Sequence, residues 1–306
     1  MSNLRIGTRA SPLALAQTAL VGEALARVRP DLAEPGAVEV VAIRTTGDHI
    51  LDRPLAQAGG KGLFTKEIED ALLDGRIDLA VHSMKDMPTV LPDGLCIAAM
   101  LPRADVRDVL IAGDALSIQD LPNGARLGSA SLRRVAQVLA VRPDIRPATL
   151  RGSVQTRLKK IEAGAVDATL LARAGLDRLG IEAGAPLSVA EMLPAVAQGA
   201  VGVECRAGDE RMLSLLERID DLATSLAVDA ERAFLEALDG SCRTPIAGYC
   251  RVEGEAYRFE GLVLRPDGSE SHRDGAVAGP GDIKAAARAA GDRIRARLDD
   301  RFFIQP

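Results

Sequence analysis

The sequence predicts an α/β fold made of two similar lobes, followed by a smaller α+β unit. The apolar run Ile77–Val81 is too short for a helix, follows an amphipathic stretch, and gives way abruptly to polar residues, which is typical of a buried strand in a βαβ unit. The segment Gly75–Asp78 recurs as Gly164–Asp167, which indicates a second lobe of the same kind. From about residue 221 onward, a helix, two strands and a final helix predict a compact α+β unit.

These patterns divide the 306 residues into three domains. We predict domain 1 from residues 1–100 and 200–219, domain 2 from 101–199, and domain 3 from 220–306. Domain 1 is discontinuous because Pro194–Glu204, a stretch of small and apolar residues, predicts a strand that returns to the first lobe. Two such lobes are expected to enclose a ligand cleft between them.

The first lobe begins with a strand at Leu4–Thr8. Ser11 is a predicted N-cap and Pro12 a predicted first helical residue, for a helix that runs to about Val28. A strand at Val38–Thr45 follows. The next helix has one apolar stripe and ends near Gly75; the stripe consists of Phe64, Ile68, Ala71 and Leu72.

The later elements follow the same rules. Strands are predicted at Leu95–Met100, Asp108–Ile111 and Val166–Leu171, and a helix ends at Gly164. In the third domain, Thr224 is a predicted cap for a helix that ends at Gly240. The remaining predicted elements are strands at Ile246–Val252 and Tyr257–Leu264, a turn at Asp267-Gly268, and a helix with Ile283, Ala287, Ala290, Ile294 and Leu298 on one face.

Composition excludes several classes of protein. The net charge of −5 argues against general nucleic-acid binding, and no apolar run is long enough to cross a membrane. The first residues lack the pattern of a signal peptide, so we expect a cytoplasmic protein. The four cysteines have no CxxC spacing, which argues against a metal site and a redox motif. Six of the 38 basic residues are lysine, so 32 are arginine, the side chain best suited to bidentate carboxylate binding.

Polar residues gather where the strand after Gly75 ends. His82, Ser83, Lys85 and Asp86 follow the apolar run, and Pro88 prevents simple continuation of the strand. Ligands of open α/β sheets bind at the carboxyl ends of strands, so this is the first candidate site.

Several cations lie beside predicted helix starts. Arg9 precedes the first helix, where an anion would bind favourably. Arg133 and Arg134 fall in the first turn of a helix that Ser129 and Ser131 can cap. Cations are unfavourable there, and we expect an anionic ligand to offset them. The glycine-rich stretch 57–62, which contains Lys61, is interpreted as a mobile lid loop.

Seven stretches, in the same order along the chain, resemble the porphobilinogen deaminase (hydroxymethylbilane synthase) family. They span nearly the whole sequence and comprise Arg9–Ala14, Gly59–Phe64, His82–Asp86, Ser131–Arg134, Arg151–Arg157, Gln198–Ala200 and the loop around Cys242. The resemblance implies three domains, of which the first two resemble the lobes of type 2 periplasmic binding proteins.

The resemblance also implies a reaction in heme and porphyrin biosynthesis. The family joins four porphobilinogen molecules, with loss of ammonia, into the linear tetrapyrrole hydroxymethylbilane. A dipyrromethane cofactor primes the reaction and is held through a thioether to a cysteine, which by motif is Cys242. A thiolate suits this attachment because it is a competent nucleophile toward an electrophilic pyrrole. Cys96 and Cys205 lie in apolar strands and are expected to be packing residues, as is Cys250.

The resemblance assigns roles to individual residues. Asp86 matches the catalytic aspartate, whose carboxylate would stabilise positive charge on a pyrrole nitrogen and relay protons. Lys61 belongs to the lid. Substrate-binding positions are Arg9, Ser11, Phe64 and Arg178; cofactor-binding positions, besides Cys242, are Ser83, Lys85, Ser129, Ser131, Arg133, Arg134, Arg151 and Arg157.

Some alternatives stay open at this point. Lys85 could form a Schiff base instead of binding a carboxylate. Phe64 could stack on a pyrrole ring or simply begin the helix stripe. Of His82 and Ser83, one is expected to contact ligand and the other to be structural.

The chain departs from the family pattern at Gln57, Ala197 and Ser241, where lysine, glycine and glycine are common. None of these positions is Cys242, Asp86 or a main arginine. A competing hypothesis is a binding or sensing protein for an anionic metabolite, which explains the arginines but not a third domain that carries Cys242. We expect a monomer whose partner is the small-molecule substrate, with no nucleic acid or membrane involved.

Overall fold

The computed structural model describes residues 3–49, 64–240, 244–299 and 301–304. The chain forms two compact units. Among the described residues, the first comprises 3–49, 64–104 and 199–225, and the second comprises 105–198, 226–240, 244–299 and 301–304. The predicted boundaries of the three domains remain predictions, whereas the predicted α/β class is confirmed by the two mixed sheets described below.

The first unit is built on a five-stranded sheet of order β2-β1-β3-β10-β4. Strand β1 is parallel to β2 and β3, and β10 is antiparallel to β3 and β4. Helices α1 and α7 contribute to the apolar core on one face, and α3 covers the other. The elements are β1 (Leu4–Arg9), α1 (Pro12–Val28), β2 (Val38–Ile43), α2 (Thr46–His49), α3 (Lys66–Leu73), β3 (Leu79–Ser83), β4 (Leu95–Met100), β10 (Val201–Arg206) and α7 (Glu210–Glu217).

The second unit contains a five-stranded sheet of matching order, β7-β6-β8-β5-β9. Strand β6 is parallel to β7 and β8, and β5 is antiparallel to β8 and β9. The elements are β5 (Asp108–Ile111), β6 (Arg126–Gly128), α4 (Leu132–Val141), β7 (Arg146–Ala148), α5 (Val154–Glu162), β8 (Ala168–Ala172), α6 (Arg173–Arg178) and β9 (Ala185–Pro186).

The internal repeat has the same structural role in both sheets. Asp78 accepts hydrogen bonds from the backbone N–H and the guanidinium of Arg5, at 2.8 Å each for the shortest contacts. Asp167 does the same for Arg126, at 2.7 and 2.8 Å. Each aspartate therefore ties the start of one parallel strand to the start of its neighbour, which confirms that the sequence repeat is a structural repeat.

The second unit also holds a three-stranded antiparallel sheet, β11-β12-β13. Helices α8 and α9 pack on one face around Phe234 and Phe259. On the other face, Leu262 and Leu264 contact Ala136 of α4. The elements are α8 (Leu222–Ala237), β11 (Ile246–Glu253), β12 (Ala256–Leu264), β13 (Ser271–Ala278) and α9 (Ile283–Arg295), of which β13 was not predicted.

Helix starts agree with the predictions at two places and differ at a third. Ser11 and Ser131 accept hydrogen bonds from Ala14 N–H and Arg134 N–H, as expected of N-caps. The prediction of Thr224 as a cap is wrong, because Asp221 accepts the hydrogen bond from Thr224 N–H at 2.8 Å.

Two strand limits and one helix limit also need correction. Strand β2 ends at Ile43 instead of Thr45. Strand β3 begins at Leu79 because the N–H groups of Arg76 and Ile77 still bond to Ala71 O, in the turn that ends α3. Phe64 precedes α3 and is not part of its apolar stripe. Within the described residues, no helix is both long and apolar enough to cross a membrane.

Candidate functional site

A pocket lies at the carboxyl ends of β1 and β3 in the first unit. These strands are parallel, so the residues that follow them meet at one edge of the sheet. The pocket brings together several predicted site residues from distant parts of the sequence. Its wall includes Arg9, Ser11, Gln17, Phe64, Thr65, His82, Ser83 and Asp86.

Arg9 and Phe64 form one side of this pocket. The guanidinium carbon of Arg9 lies 4.3 Å from the centre of the Phe64 ring, within the range of a cation–π interaction. The Phe64 ring therefore packs against the Arg9 guanidinium and does not belong to the apolar stripe of α3. A guanidinium held in this way can receive a carboxylate on its edge while its face rests on the ring.

Ser83, which also lines the pocket, is held by Gln17 of α1. Ser83 Oγ lies 2.8 Å from Nε2 and 3.0 Å from Oε1 of Gln17, whose side chain is buried. Because the amide can both donate to and accept from one hydroxyl, it fixes Ser83 in place. Ser11 faces the same pocket and caps α1.

A short 3-10 turn, Met84–Asp86, presents the predicted catalytic aspartate. Met84 is buried, its N–H donates to Ala200 O at 3.1 Å, and its carbonyl accepts from Met87 N–H at 3.2 Å. Because Gly202 on β10 has no side chain, the Met84 side chain can pack in the space beside it. Anchored by Met84, the turn leaves Lys85 half-buried and Asp86 exposed at the pocket.

His82 has a partner that the sequence reasoning missed. Its Nε2 lies 2.8 Å from Oε2 of Glu204, a fully buried carboxylate on β10. The available signal was one charged residue inside the apolar strand Val201–Cys205. Glu69 of α3 is also buried, and burial raises its pKa, an effect that the hydroxyl of Thr65 opposes.

The second unit repeats this arrangement at the carboxyl ends of β6, β7 and β8. Ser129 and Ser131 follow β6, and Ser129 Oγ accepts from Ser131 N–H at 3.1 Å. Arg151 follows β7, and Arg178 ends α6, the helix that follows β8. Parallel pairing places the carboxyl ends of β6, β7 and β8 at one edge of the sheet.

Arg133 and Arg134 already face an anion that belongs to the protein. Asp108 at the start of β5 is fully buried, and its two carboxylate oxygens lie 2.8 Å from Arg133 and 2.6 Å from Arg134. The expectation that a ligand offsets these helix-start cations therefore needs correction, because Asp108 offsets them. Burial would raise the pKa of Asp108, but the two guanidinium groups outweigh it and hold that pKa well below its ordinary value.

Both arginines also bind backbone carbonyl groups. Arg133 donates to Leu193 O and Arg134 donates to Leu170 O, each at 2.7 Å. Their side chains are nearly buried, which fixes both guanidinium planes. Asp108 went unnoticed in the sequence, where its only signal was a charge that opens an apolar strand.

The remaining arginines of this unit lie around α5 and α6. Arg157 donates to Gly152 O at 2.9 Å, across the first turn of α5. Arg151 precedes that helix, which Ser153 caps through Thr156 N–H. Arg178 is half-buried at the end of α6, and burial lowers its pKa.

Two predicted site residues, Cys242 and Lys61, lie outside the described residues. The other three cysteines lie in strands, as predicted. Cys205 pairs with Cys96 across β10 and β4, and burial raises the pKa of the Cys205 thiol to about 12. A thiol with that pKa stays protonated near neutral pH and is a poor nucleophile.

Family models match almost the whole chain. The model described as "Porphobilinogen deaminase, dipyromethane cofactor binding domain" matches residues 4–214. The model described as "Porphobilinogen deaminase, C-terminal domain" matches residues 225–299.

Curated relatives agree with these matches. "Porphobilinogen deaminase" of Nitrobacter winogradskyi is 53% identical over 303 residues, which cover 97% of this chain and 94% of the relative. "Porphobilinogen deaminase, chloroplastic" of Oryza sativa subsp. japonica is 52% identical, with 99% and 86% covered. Among solved structures, the periplasmic aliphatic sulphonate binding protein SsuA of Escherichia coli is 18% identical over 78% of this chain and 70% of its own, with a TM-score of 0.42. The family models and the curated relatives together establish that this chain belongs to the porphobilinogen deaminase family.

Proposed function

We propose that this chain joins four porphobilinogen molecules into hydroxymethylbilane, with Asp86 as the catalytic carboxylate and Cys242 as the attachment site of a dipyrromethane primer. The single observation that carries the proposal is the turn Met84–Asp86, which holds an exposed carboxylate at a pocket in a chain of this family. Positive charge that develops on a pyrrole nitrogen is stabilised by a carboxylate fixed before the reaction.

The chain's own side chains can bind and orient a substrate with several carboxylates. Porphobilinogen carries an acetate and a propionate, and guanidinium groups bind carboxylates through paired hydrogen bonds. Arg9, on the Phe64 ring, offers one such group beside Asp86. We assign substrate binding to Arg9, Ser11, Phe64 and Arg178.

The described residues fit an anionic dipyrromethane. Basic and hydroxyl side chains follow two parallel strands of the second unit, β6 and β7, and in the first unit Ser83 ends β3 and Lys85 follows it. When bound, the dipyrromethane supplies the pyrrole end to which new units are added. We assign it to Ser83, Lys85, Ser129, Ser131, Arg133, Arg134, Arg151 and Arg157, and we assign Lys61 to a lid.

The main contribution of Arg133 and Arg134 is to hold hydrogen-bond donors in fixed positions for the ligand. Asp108 neutralises part of their charge, and the carbonyl groups of Leu193 and Leu170 use further donors. The N–H groups that remain are therefore held in fixed directions before a ligand arrives. We also propose that the protein acts as a monomer in the cytoplasm, which sedimentation and cell fractionation would test.

Intact-protein mass spectrometry with a porphobilinogen consumption assay tests the function. Freshly purified protein should exceed its sequence mass by two linked pyrrole units, and it should gain further units and consume porphobilinogen when substrate is added. Protein that binds porphobilinogen without consuming it would instead be the anion-binding protein considered above. Active protein of unmodified mass would contradict a covalent primer.

The attachment residue has its own test. Cys242→Ser should lose the added mass and the activity, because a serine hydroxyl is a far weaker nucleophile at neutral pH. Cys205→Ser is the matched control and should keep both. Peptide analysis that located the pyrroles on another cysteine would reject Cys242.

A further inference from the structure

A cluster of three ionisable side chains is buried behind the pocket, on the face of the sheet that α3 covers. His82 and Glu204 lie on neighbouring strands with Nε2 and Oε2 2.8 Å apart, and their side chains are 5% and 0% exposed. Glu69 reaches the same region from α3 and is 6% exposed. The layer around them is otherwise apolar, with Ile68, Leu72, Ile77 and Ala80. Such a cluster is costly to bury, which suggests a use beyond packing.

The cluster contains two carboxylates and one imidazole. Two ionised carboxylates in one buried cluster disfavour each other. Burial raises the pKa of Glu69, and the neighbouring charge of Glu204 adds to the effect. Glu204 is the carboxylate that lies against the His82 ring.

The Glu204 carboxylate determines which nitrogen of His82 carries a proton. An ionised Glu204 accepts the hydrogen bond, so Nε2 of His82 is then the donor and, in the neutral ring, Nδ1 is left as an acceptor. A carboxylate in this position would also stabilise the imidazolium formed by proton uptake at Nδ1. This is the role of the buried aspartate behind the histidine in serine-protease triads.

His82 is also in the wall of the pocket that contains Asp86. Other charged groups of that pocket are Arg9, from the end of β1, and Asp86 itself, while Gln17 of α1 is neutral. Lys85 lies in the turn after β3. The pair His82–Glu204 thus joins the reaction pocket to a buried carboxyl group.

We propose that His82, positioned by Glu204, accepts the proton that leaves the pyrrole ring at each addition. This inference rests on the proposed function. When the new carbon–carbon bond has formed, the C–H bond at the attacked ring carbon breaks, its electron pair returns to the ring, and the proton moves to Nδ1 of His82. The imidazolium then gives this proton to the ammonia released from the aminomethyl group, so ammonium leaves and neutral His82 is restored. Asp86 keeps its own role toward the positive pyrrole nitrogen.

The decisive experiment uses porphobilinogen deuterated at its free ring carbon. In the His82→Gln holoenzyme, kcat should fall by about a hundredfold or more, and C–H cleavage should become slow. The kinetic isotope effect on kcat should therefore exceed that of the parent enzyme. A variant with kcat within about threefold of the parent, or with a large loss but no rise in the isotope effect, would overturn the proposal.

Two isosteric variants of the same cluster test the part played by Glu204. Glu204→Gln removes the negative charge beside the ring, so the imidazolium should lose its proton more easily. The acid limb of the kcat–pH profile should move to lower pH by about one to three units. Glu69→Gln alters the neighbouring carboxylate and leaves the His82–Glu204 contact in place, so it should move that limb less than Glu204→Gln does.

These outcomes separate the possible failures. If Glu204→Gln lowers the melting temperature or kcat without moving the acid limb, Glu204 is structural and the proposal fails. If both Gln variants move the limb equally, the effect does not come from the Glu204–His82 bond, and the proposal also fails. If the parent enzyme itself does not consume porphobilinogen, the proposed function is what has failed.

Discussion

Asp86 and Asp108 lie beside residues proposed for ligand binding, but they differ in exposure. Asp86 is exposed at the pocket, on a turn anchored by Met84. Asp108 is fully buried between Arg133 and Arg134. Removal of one partner from a buried ion pair leaves an uncompensated charge, which costs stability. At the residue scale, substitution of Asp86 should therefore affect turnover, whereas substitution of Asp108 should first affect folding.

Asp86→Asn keeps the size of the side chain and removes its charge. If that charge stabilises a cationic pyrrole, the barrier should rise by about 2–4 kcal/mol, as for loss of one preorganised group. Single-turnover and steady-state assays measure this loss, and the melting temperature should hardly change. Asp93→Asn, at an exposed position of the same unit, is the control. Turnover of Asp86→Asn within a few-fold of the parent would refute the assignment.

Cys205→Ser tests a buried residue that we expect to contribute to packing and not to the chemistry. Cys205 is fully buried in β10 and belongs to the apolar core of the first unit. A hydroxyl at that position should destabilise the fold by on the order of 1–3 kcal/mol if it finds no partner. Urea unfolding would show this loss while turnover per folded molecule is kept. A loss of activity in stable protein would mean that Cys205 has a chemical role.

At the scale of elements, helix α4 links the arginine cluster to the three-stranded sheet. Arg133 and Arg134 lie in its first turn, and Ala136 packs against Leu262 and Leu264 of β12. The turn at Gly268 reaches the same helix: a Cβ there would lie 2.5 Å from Ala140 N and 2.7 Å from Ala136 O. A change in that turn should therefore be transmitted to the arginines.

A comparison of Gly268→Ala with Gly254→Ala measures how tightly the Gly268 turn packs against α4. Both glycines have positive φ, 75° and 63°, so each alanine should cost about 1–2 kcal/mol of conformational strain. Only Gly268→Ala also meets the backbone of α4, which should add about 1–3 kcal/mol or displace the turn. Thermal unfolding gives the difference, and mass spectra show whether the pyrrole adduct is retained. Equal destabilisation by the two variants would argue against a tight contact between the turn and α4.

At the scale of the whole molecule, the two five-stranded sheets share one strand order. Each has an antiparallel strand, β10 in the first sheet and β5 in the second, between strands of its own lobe. The equivalent pairs Arg5–Asp78 and Arg126–Asp167 join neighbouring parallel strands in the two sheets. These pairs should make part of the stability depend on acid pH.

Asp167→Asn isolates one of these contributions. The hydrogen bond from Arg126 lowers the pKa of Asp167 to about 2, below its ordinary value of 3.8. A lowered folded-state pKa stabilises the protein above the unfolded-state pKa, and this stabilisation is lost as the pH falls through the folded-state value. The stability deficit of Asp167→Asn should therefore be present at pH 6 and shrink between about pH 4 and pH 2. Arg126→Gln should show the same trend in urea unfolding, and a deficit that is constant with pH would contradict the pairing.

The sequence by itself determined most of the local structure and much of the chemistry. Ser11 and Pro12 start α1 at the predicted residue because a hydroxyl cap and a proline at the first helical position act within one turn. The repeat at Gly75 and Gly164 was visible in the sequence and is a repeat in the structure. The polar residues at and beyond the end of β3 were identified because the apolar pattern stops there abruptly.

Only the tertiary structure decided which charges face each other. Asp108 lies 26 positions from Arg134, and Glu204 lies 122 positions from His82, so no local pattern joins them. Strand order and register bring these groups together, and burial then makes each pairing necessary, because a lone buried charge is far more costly than a paired one. For the same reason the sequence suggested a ligand anion for Arg133 and Arg134, whereas the folded chain supplies Asp108.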